Sequence, residues 1–173
     1  MTSSQSSFTD PSSGDAAAMA AADAPIFFQF EADFVDSLRC IPMQVRYKLD
    51  TCGIKLKLPQ WNQLDQAERS QLTRLPCQTP AEIQAYRSWL VQLIYDRCQV
   101  PAKDLPVDPQ PEWLTTTAIP SEVQEKAQEA GAPIALDQWA ALAPLQRFAL
   151  IKLSRSNHEN KNFFPALQEL GLA

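Results

Sequence analysis

Shifted by 78 residues, the chain aligns with itself without a gap from Ile41 to Leu75. Ile41-Pro42 falls on Ile119-Pro120, Val45 on Val123, Lys48 on Lys126 and Gly53 on Gly131. Gln60-Trp61 falls on Gln138-Trp139, Leu64 on Leu142, Arg69 on Arg147, Leu72 on Leu150 and Leu75 on Leu153. A tryptophan and a glycine shared at one offset mark a repeated unit. Such a unit cannot bury its apolar face alone and must stack on its neighbour.

The unit reads as helices. Pro42 suits a first helical turn, where no N–H is needed, and Gly53 suits a left-handed cap. A helix is expected over about 42–52 and its copy over about 120–130. Ile54 to Leu58 alternates apolar and basic residues, the period of a strand. Its copy carries Pro133 and no alternation, so an extended linker is expected. Pro59 and Asp137 each open a short helical turn holding a tryptophan. Asp65 caps a helix reaching about residue 75, and Pro144 opens its copy.

Thr79-Pro80-Ala81-Glu82 is a capping box with proline at the first position. It starts a helix to about residue 98, with Ile83, Tyr86, Leu90, Leu93 and Ile94 on one stripe. In the second copy, about 157–170 takes this place, with Phe163, Leu167 and Leu170 on one face. Residues 99–111 are a connector holding Pro101, Pro106, Pro109 and Pro111. The expected fold is all-α: two tandem three-helix units, about 30–98 and 112–173, in one domain over 26–173. Residues 1–25 are rich in Ser and Ala, lack Lys and Arg, and read as a disordered tail.

Composition narrows the function. Four glycines, none clustered, exclude the glycine-rich phosphate loops. A single histidine, His158, excludes multi-histidine metal sites and disfavours a histidine triad. A net charge of −5 argues against nucleic acid as a partner. No apolar run reaches the ~18 residues that cross a bilayer. Cys40, Cys52, Cys77 and Cys98 contain no CxxC pair and read as reduced thiols of a cytoplasmic protein.

The two copies control each other. Residues kept in both, such as Trp61/Trp139, Leu64/Leu142 and Arg69/Arg147, read as packing. Cys40 and Cys52 face Ala118 and Ala130, so both read as small sites in helix packing. The basic residues behave differently. From Arg39 to Lys57 the chain carries Arg39, Arg46, Lys48, Lys55 and Lys57 against Asp50 alone. The counterparts of Arg39, Arg46, Lys55 and Lys57 are Thr117, Gln124, Pro133 and Ala135. These four cations belong to the first unit only. They read as a docking patch for an acidic partner or a phosphate-bearing ligand. Glu31, Asp33 and Asp36 could serve metal or acid–base chemistry, but their spacing reads as helix capping and solvated surface. His158 reads as an exposed residue at a helix start.

The run Phe28-Gln29-Phe30-Glu31, Asp33-Phe34-Val35, Leu38-Arg39-Cys40-Ile41-Pro42-Met43, Val45-Arg46-Tyr47-Lys48-Leu49-Asp50 and Gly53-Ile54-Lys55-Leu56 resembles the cyanobacterial nitrate reductase-associated protein family. The resemblance is strongest over about 27–76, extends to the C-terminus and leaves the Ser/Ala tail outside. It implies a small accessory protein of assimilatory nitrate reduction, not the reductase. The expected role is non-enzymatic: docking to nitrate reductase or to a molybdenum-cofactor delivery protein, in maturation or cofactor insertion. No catalytic residue, metal ligand or resident cofactor is assigned, and Arg39, Arg46, Lys55 and Lys57 are the expected contacts. The alternative is a module carrying a phosphorylated pterin; an enzyme of cofactor chemistry using Glu31, Asp33 or Asp36 ranks below both.

Overall fold

The computed structural model describes residues 24–155 and 160–173. The Ser/Ala segment up to residue 23 and His158 lie outside the described residues. Eight α-helices carry the fold among the described residues: α1 (Met43–Cys52), α2 (Leu58–Trp61), α3 (Gln66–Arg74), α4 (Pro80–Cys98), α5 (Ser121–Glu129), α6 (Leu136–Ala141), α7 (Pro144–Arg155) and α8 (Phe163–Glu169). Helix starts at 43, 58 and 66 are matched by starts at 121, 136 and 144.

The ends follow local chemistry. Asp65 accepts from the Glu68 N–H at 2.9 Å, and Glu68 reaches back to the Asp65 N–H at 2.8 Å, closing a capping box on α3. Thr79 and Glu82 do the same for α4, with Pro80 in its first turn. Gly53 ends α1 in the left-handed region at φ 72°. Pro42 and Pro120 differ from expectation by one position: they are the residues before α1 and α5, with extended ψ of 155° and 139°. The stretch after Gly53 also differs. Ile54–Lys55 forms a strand, β1, antiparallel to β2 at Lys103–Asp104 in the proline-rich connector. The last expected helix is shorter, because a 3-10 turn at Asn160–Asn162 precedes α8.

Two apolar clusters form the core. One gathers Val45, Leu49, Ile54, Trp61, Leu72, Leu90 and Ile94 among others from the first half. The other gathers Val123, Trp139, Phe148, Leu150, Phe163 and Leu167, and takes in Phe28 and Met43 from the N-terminal part. Trp61 and Trp139 are fully buried. Each indole N–H donates to a backbone carbonyl, Leu38 at 2.6 Å and Thr115 at 3.0 Å, so burial leaves no polar group unpaired. Truncating either to alanine would cost about 3–5 kcal/mol. Leu38 sits at φ 48°, a conformation that costs a branched residue about 1–2 kcal/mol. Its carbonyl, held by both Trp61 and Arg69, offsets that strain.

The halves join along α1 and α7. Tyr47 on α1 meets Phe148 on α7 edge-on, with centroids 5.4 Å apart, and Trp113 closes the triangle at 6.1 and 5.1 Å. Lys152 reaches across to Asp50 at 2.6 Å. Among the described residues no helix is long and apolar enough to cross a membrane.

Candidate functional site

The first-half cations are placed by the turn that ends α1. With φ at 72°, Gly53 turns the chain from helix into β1, and the connector lies against it. The Leu105 N–H donates to the Gly53 carbonyl at 2.9 Å. Arg87, from α4, donates Nη1 to the carbonyls of Cys52 and Gly53, each at 2.9 Å, and Nη2 to Asp104 Oδ1 at 2.6 Å. One guanidinium thus joins the end of α1 to β2.

The resulting ladder sets Ile54 against Asp104 and Lys55 against Lys103. Ile54 and Leu56 are buried, whereas Lys55, Lys57 and Lys103 are exposed. Lys57 is also extended, at ψ 155°. Buried and exposed residues alternate from Ile54 to Lys57, which puts Lys57, just past β1, on the same outward side as Lys55.

The four predicted contact residues do not share one environment. Arg39 is exposed but pairs with Asp33 at 3.0 Å. Arg46 is half-buried, donates Nε to the Ile41 carbonyl at 3.1 Å, and lines a groove. Lys55 stands at the edge of that groove, and Lys57 is exposed at the start of α2. Lys103 joins them without having been predicted. Its only sequence signal is a basic residue inside a proline-rich connector, and it reaches Lys55 through strand pairing.

The groove runs between the halves and encloses about 970 Å³. Arg46, Lys55, Lys152 and Arg155 line it together with Asp33, Asp50, Asp108 and Glu112. Much of this charge is internally matched: Lys152 pairs with Asp50 at 2.6 Å and Arg155 with Glu112 at 2.7 Å. Lys152 and Arg155 are second-half residues that sequence reasoning did not bring here.

The acidic trio separates. Glu31 is buried and accepts from the Met43 N–H at 2.7 Å and the Phe28 N–H at 3.0 Å. It therefore supplies the cap that Pro42 cannot give α1. Burial raises its pKa, and the two backbone bonds oppose that rise. Asp33 pairs with Arg39, and Asp36 is exposed. Among the described residues no group of three or more His, Cys, Asp or Glu side chains could hold a metal ion. Cys52 and Cys77 are buried, and burial pushes their thiols up to about 11 and about 12. Cys40 and Cys98 are half-buried. Arg69 and Arg147, predicted as packing, each donate to backbone carbonyls around the buried tryptophans.

Residues 27–170 match the family model described as conserved nitrate reductase-associated protein. The chain belongs to this family. The matched span takes in both helical halves, the connector and the lysine ladder. No curated protein and no solved structure matches the chain. Membership associates the protein with nitrate reductase, as the resemblance implied, and the match covers the second half to which that resemblance extended.

Proposed function

We propose that this member of the nitrate reductase-associated family is a non-enzymatic helper of assimilatory nitrate reductase. It docks to the reductase or to a molybdenum-cofactor delivery protein and assists maturation or cofactor insertion. The observation that carries the reading is family membership over residues 27–170. The exposed Arg39, Lys55 and Lys57 support a docking role, since surface charge steers association. In this reading the two halves are tandem copies of one helical unit, and the first has acquired the contact surface.

The test is co-purification of the tagged protein with nitrate reductase from nitrate-grown cells, with the reductase's molybdenum content assayed in the presence and absence of the protein. Co-purification, with molybdenum-poor reductase when the protein is missing, is the expected result. Full molybdenum in its absence would move the role to stabilisation or electron-donor docking. No co-purification with reductase or delivery protein would overturn the docking reading.

A second reading is favoured by the groove lined by Arg46, Lys55, Lys152 and Arg155: a carrier of a phosphorylated pterin. Calorimetry with phosphorylated pterin separates the two, since a pure docking protein gives no heat of binding.

A further inference from the structure

We propose that the outward side of the β1–β2 ladder, formed by Lys55, Lys57 and Lys103, is the docking surface for a carboxylate-rich segment of the partner protein. The proposal rests on the docking reading above and names the surface and the chemistry of its partner.

The ladder sets Lys55 directly opposite Lys103. Directly opposed residues of an antiparallel pair have Cα atoms only about 4.5–5.5 Å apart, and like charges there cost stability. Arg39, Arg87, Arg97, Lys126, Lys152 and Arg155 all have carboxylate partners, whereas Lys55, Lys57 and Lys103 form no ion pair among the described residues. Asp104, the acidic residue of the ladder, is engaged by Arg87 at 2.6 Å.

The juxtaposition also takes dedicated structure. Gly53, Leu105 and the three bonds of Arg87 hold the connector in register. The second half lacks all of it: its counterparts of Lys55 and Lys57 are Pro133 and Ala135, and no strand forms there. Leu58, next to Lys57, and Val107, beside Gly53, are large apolar side chains left about half exposed, 45% and 55%. They give the charged strip an apolar margin suited to a protein surface.

The choice of carboxylate follows from the donor set. Phosphate is favoured by arginine forks and clustered backbone N–H groups. Here Arg87 already donates to the Cys52 and Gly53 carbonyls and to Asp104, Arg46 is half-buried with Nε on the Ile41 carbonyl, and the exposed cations are separate lysine point charges over about 7 Å of extended chain. That spacing suits single negative charges distributed along an extended or helical acidic segment.

The test uses the full chain and a fluorescent oligoglutamate peptide, with binding read by anisotropy. Lys55→Glu places a carboxylate opposite Lys103, so its melting temperature rises while affinity for the peptide falls roughly tenfold. Lys55→Glu/Lys103→Glu abolishes binding. Arg74→Glu, an exposed site on α3, leaves affinity within about twofold. Wild-type affinity falls as salt is raised. Unchanged affinity in both lysine variants overturns the proposal, and so does displacement of the peptide by inorganic tripolyphosphate at lower concentration than by unlabelled oligoglutamate. Co-purification separates the two failures. If the wild type does not bring down reductase or delivery protein, the docking reading fails. If wild type and the double lysine variant both do, this surface alone fails.

Discussion

A Cβ atom added to Gly53 would lie 2.6 Å from Cγ2 of Val107 and 2.9 Å from the Leu105 carbonyl oxygen. Gly131, at the matching position, holds nearly the same φ, 74° against 72°, and has nothing within 4 Å of its Cβ position. The pair separates conformational cost from steric cost. Gly131→Ala pays for the left-handed backbone alone, about 1–2 kcal/mol. Gly53→Ala pays that and displaces the connector, about 1–3 kcal/mol more. Urea denaturation of the two variants measures the difference. Equal losses would mean that Val107 moves aside freely and that the connector is not fixed by this contact.

Glu31 gives a second prediction. Its two oxygens accept the Met43 and Phe28 N–H groups in a buried site. Glu31→Gln turns one acceptor into a donor facing a donor, and should cost about 1–3 kcal/mol. Burial raises the folded-state pKa above the ordinary 4.5, so the native state holds its proton longer than the unfolded state does. Stability linked to this group is fully present below pH 4.5 and is lost as pH rises through the raised folded-state value. Urea midpoints of wild type and variant across the acid range should therefore converge as pH rises. A gap independent of pH would show that Glu31 titrates normally.

The helices were legible because their signals are local. Capping boxes at Asp65 and Thr79, Gly53 at a helix end and the stripe on α4 are each decided within a few residues. What the sequence hid depends on distant pairing. Ile54–Lys55 has the strand period, but the residues 78 positions on do not, and an expectation built on their match leaves out a strand that β1 forms with the connector. Its partner lies in a proline-rich segment that reads as a plain linker, so Lys103 could not be placed beside Lys55. Crossing between the halves was hidden for the same reason. No local pattern shows that Phe28 and Met43 pack with the second cluster, or that Lys152 reaches Asp50. The acidic trio was legible in part: capping was expected, but not that Glu31 alone would do it from inside the core.

The thiols divide by environment. Cys52 and Cys77 are buried with thiols raised to about 11 and about 12, which leaves almost no thiolate at neutral pH. Cys40 and Cys98 are half-buried. Mild alkylation of the native protein followed by peptide mass mapping should label Cys40 and Cys98 and spare Cys52 and Cys77, and all four should react after unfolding. Early labelling of Cys77 would mean that the first core opens readily.

Arg69 and Arg147 occupy matching places beside the buried tryptophans but differ in burial. Arg147 is 4% exposed and donates Nε to the Trp113 carbonyl at 2.7 Å, with Nη1 directed at the carbonyls of Trp139, Ala140 and Leu142. Arg69 is half-buried, donates to the carbonyls of Trp61, Leu38 and Asn62, and stacks 5.8 Å from the Trp61 ring centroid. Removing either guanidinium strands carbonyl oxygens, and water can replace it only where the site is open. Arg147→Met should therefore cost about 2–3 kcal/mol, and Arg69→Met about 1–2 kcal/mol including its ring contact. Thermal melts of the two variants give the order. If Arg69→Met were the more damaging, the strained Leu38 carbonyl that it shares with Trp61 would be the weaker point of the fold.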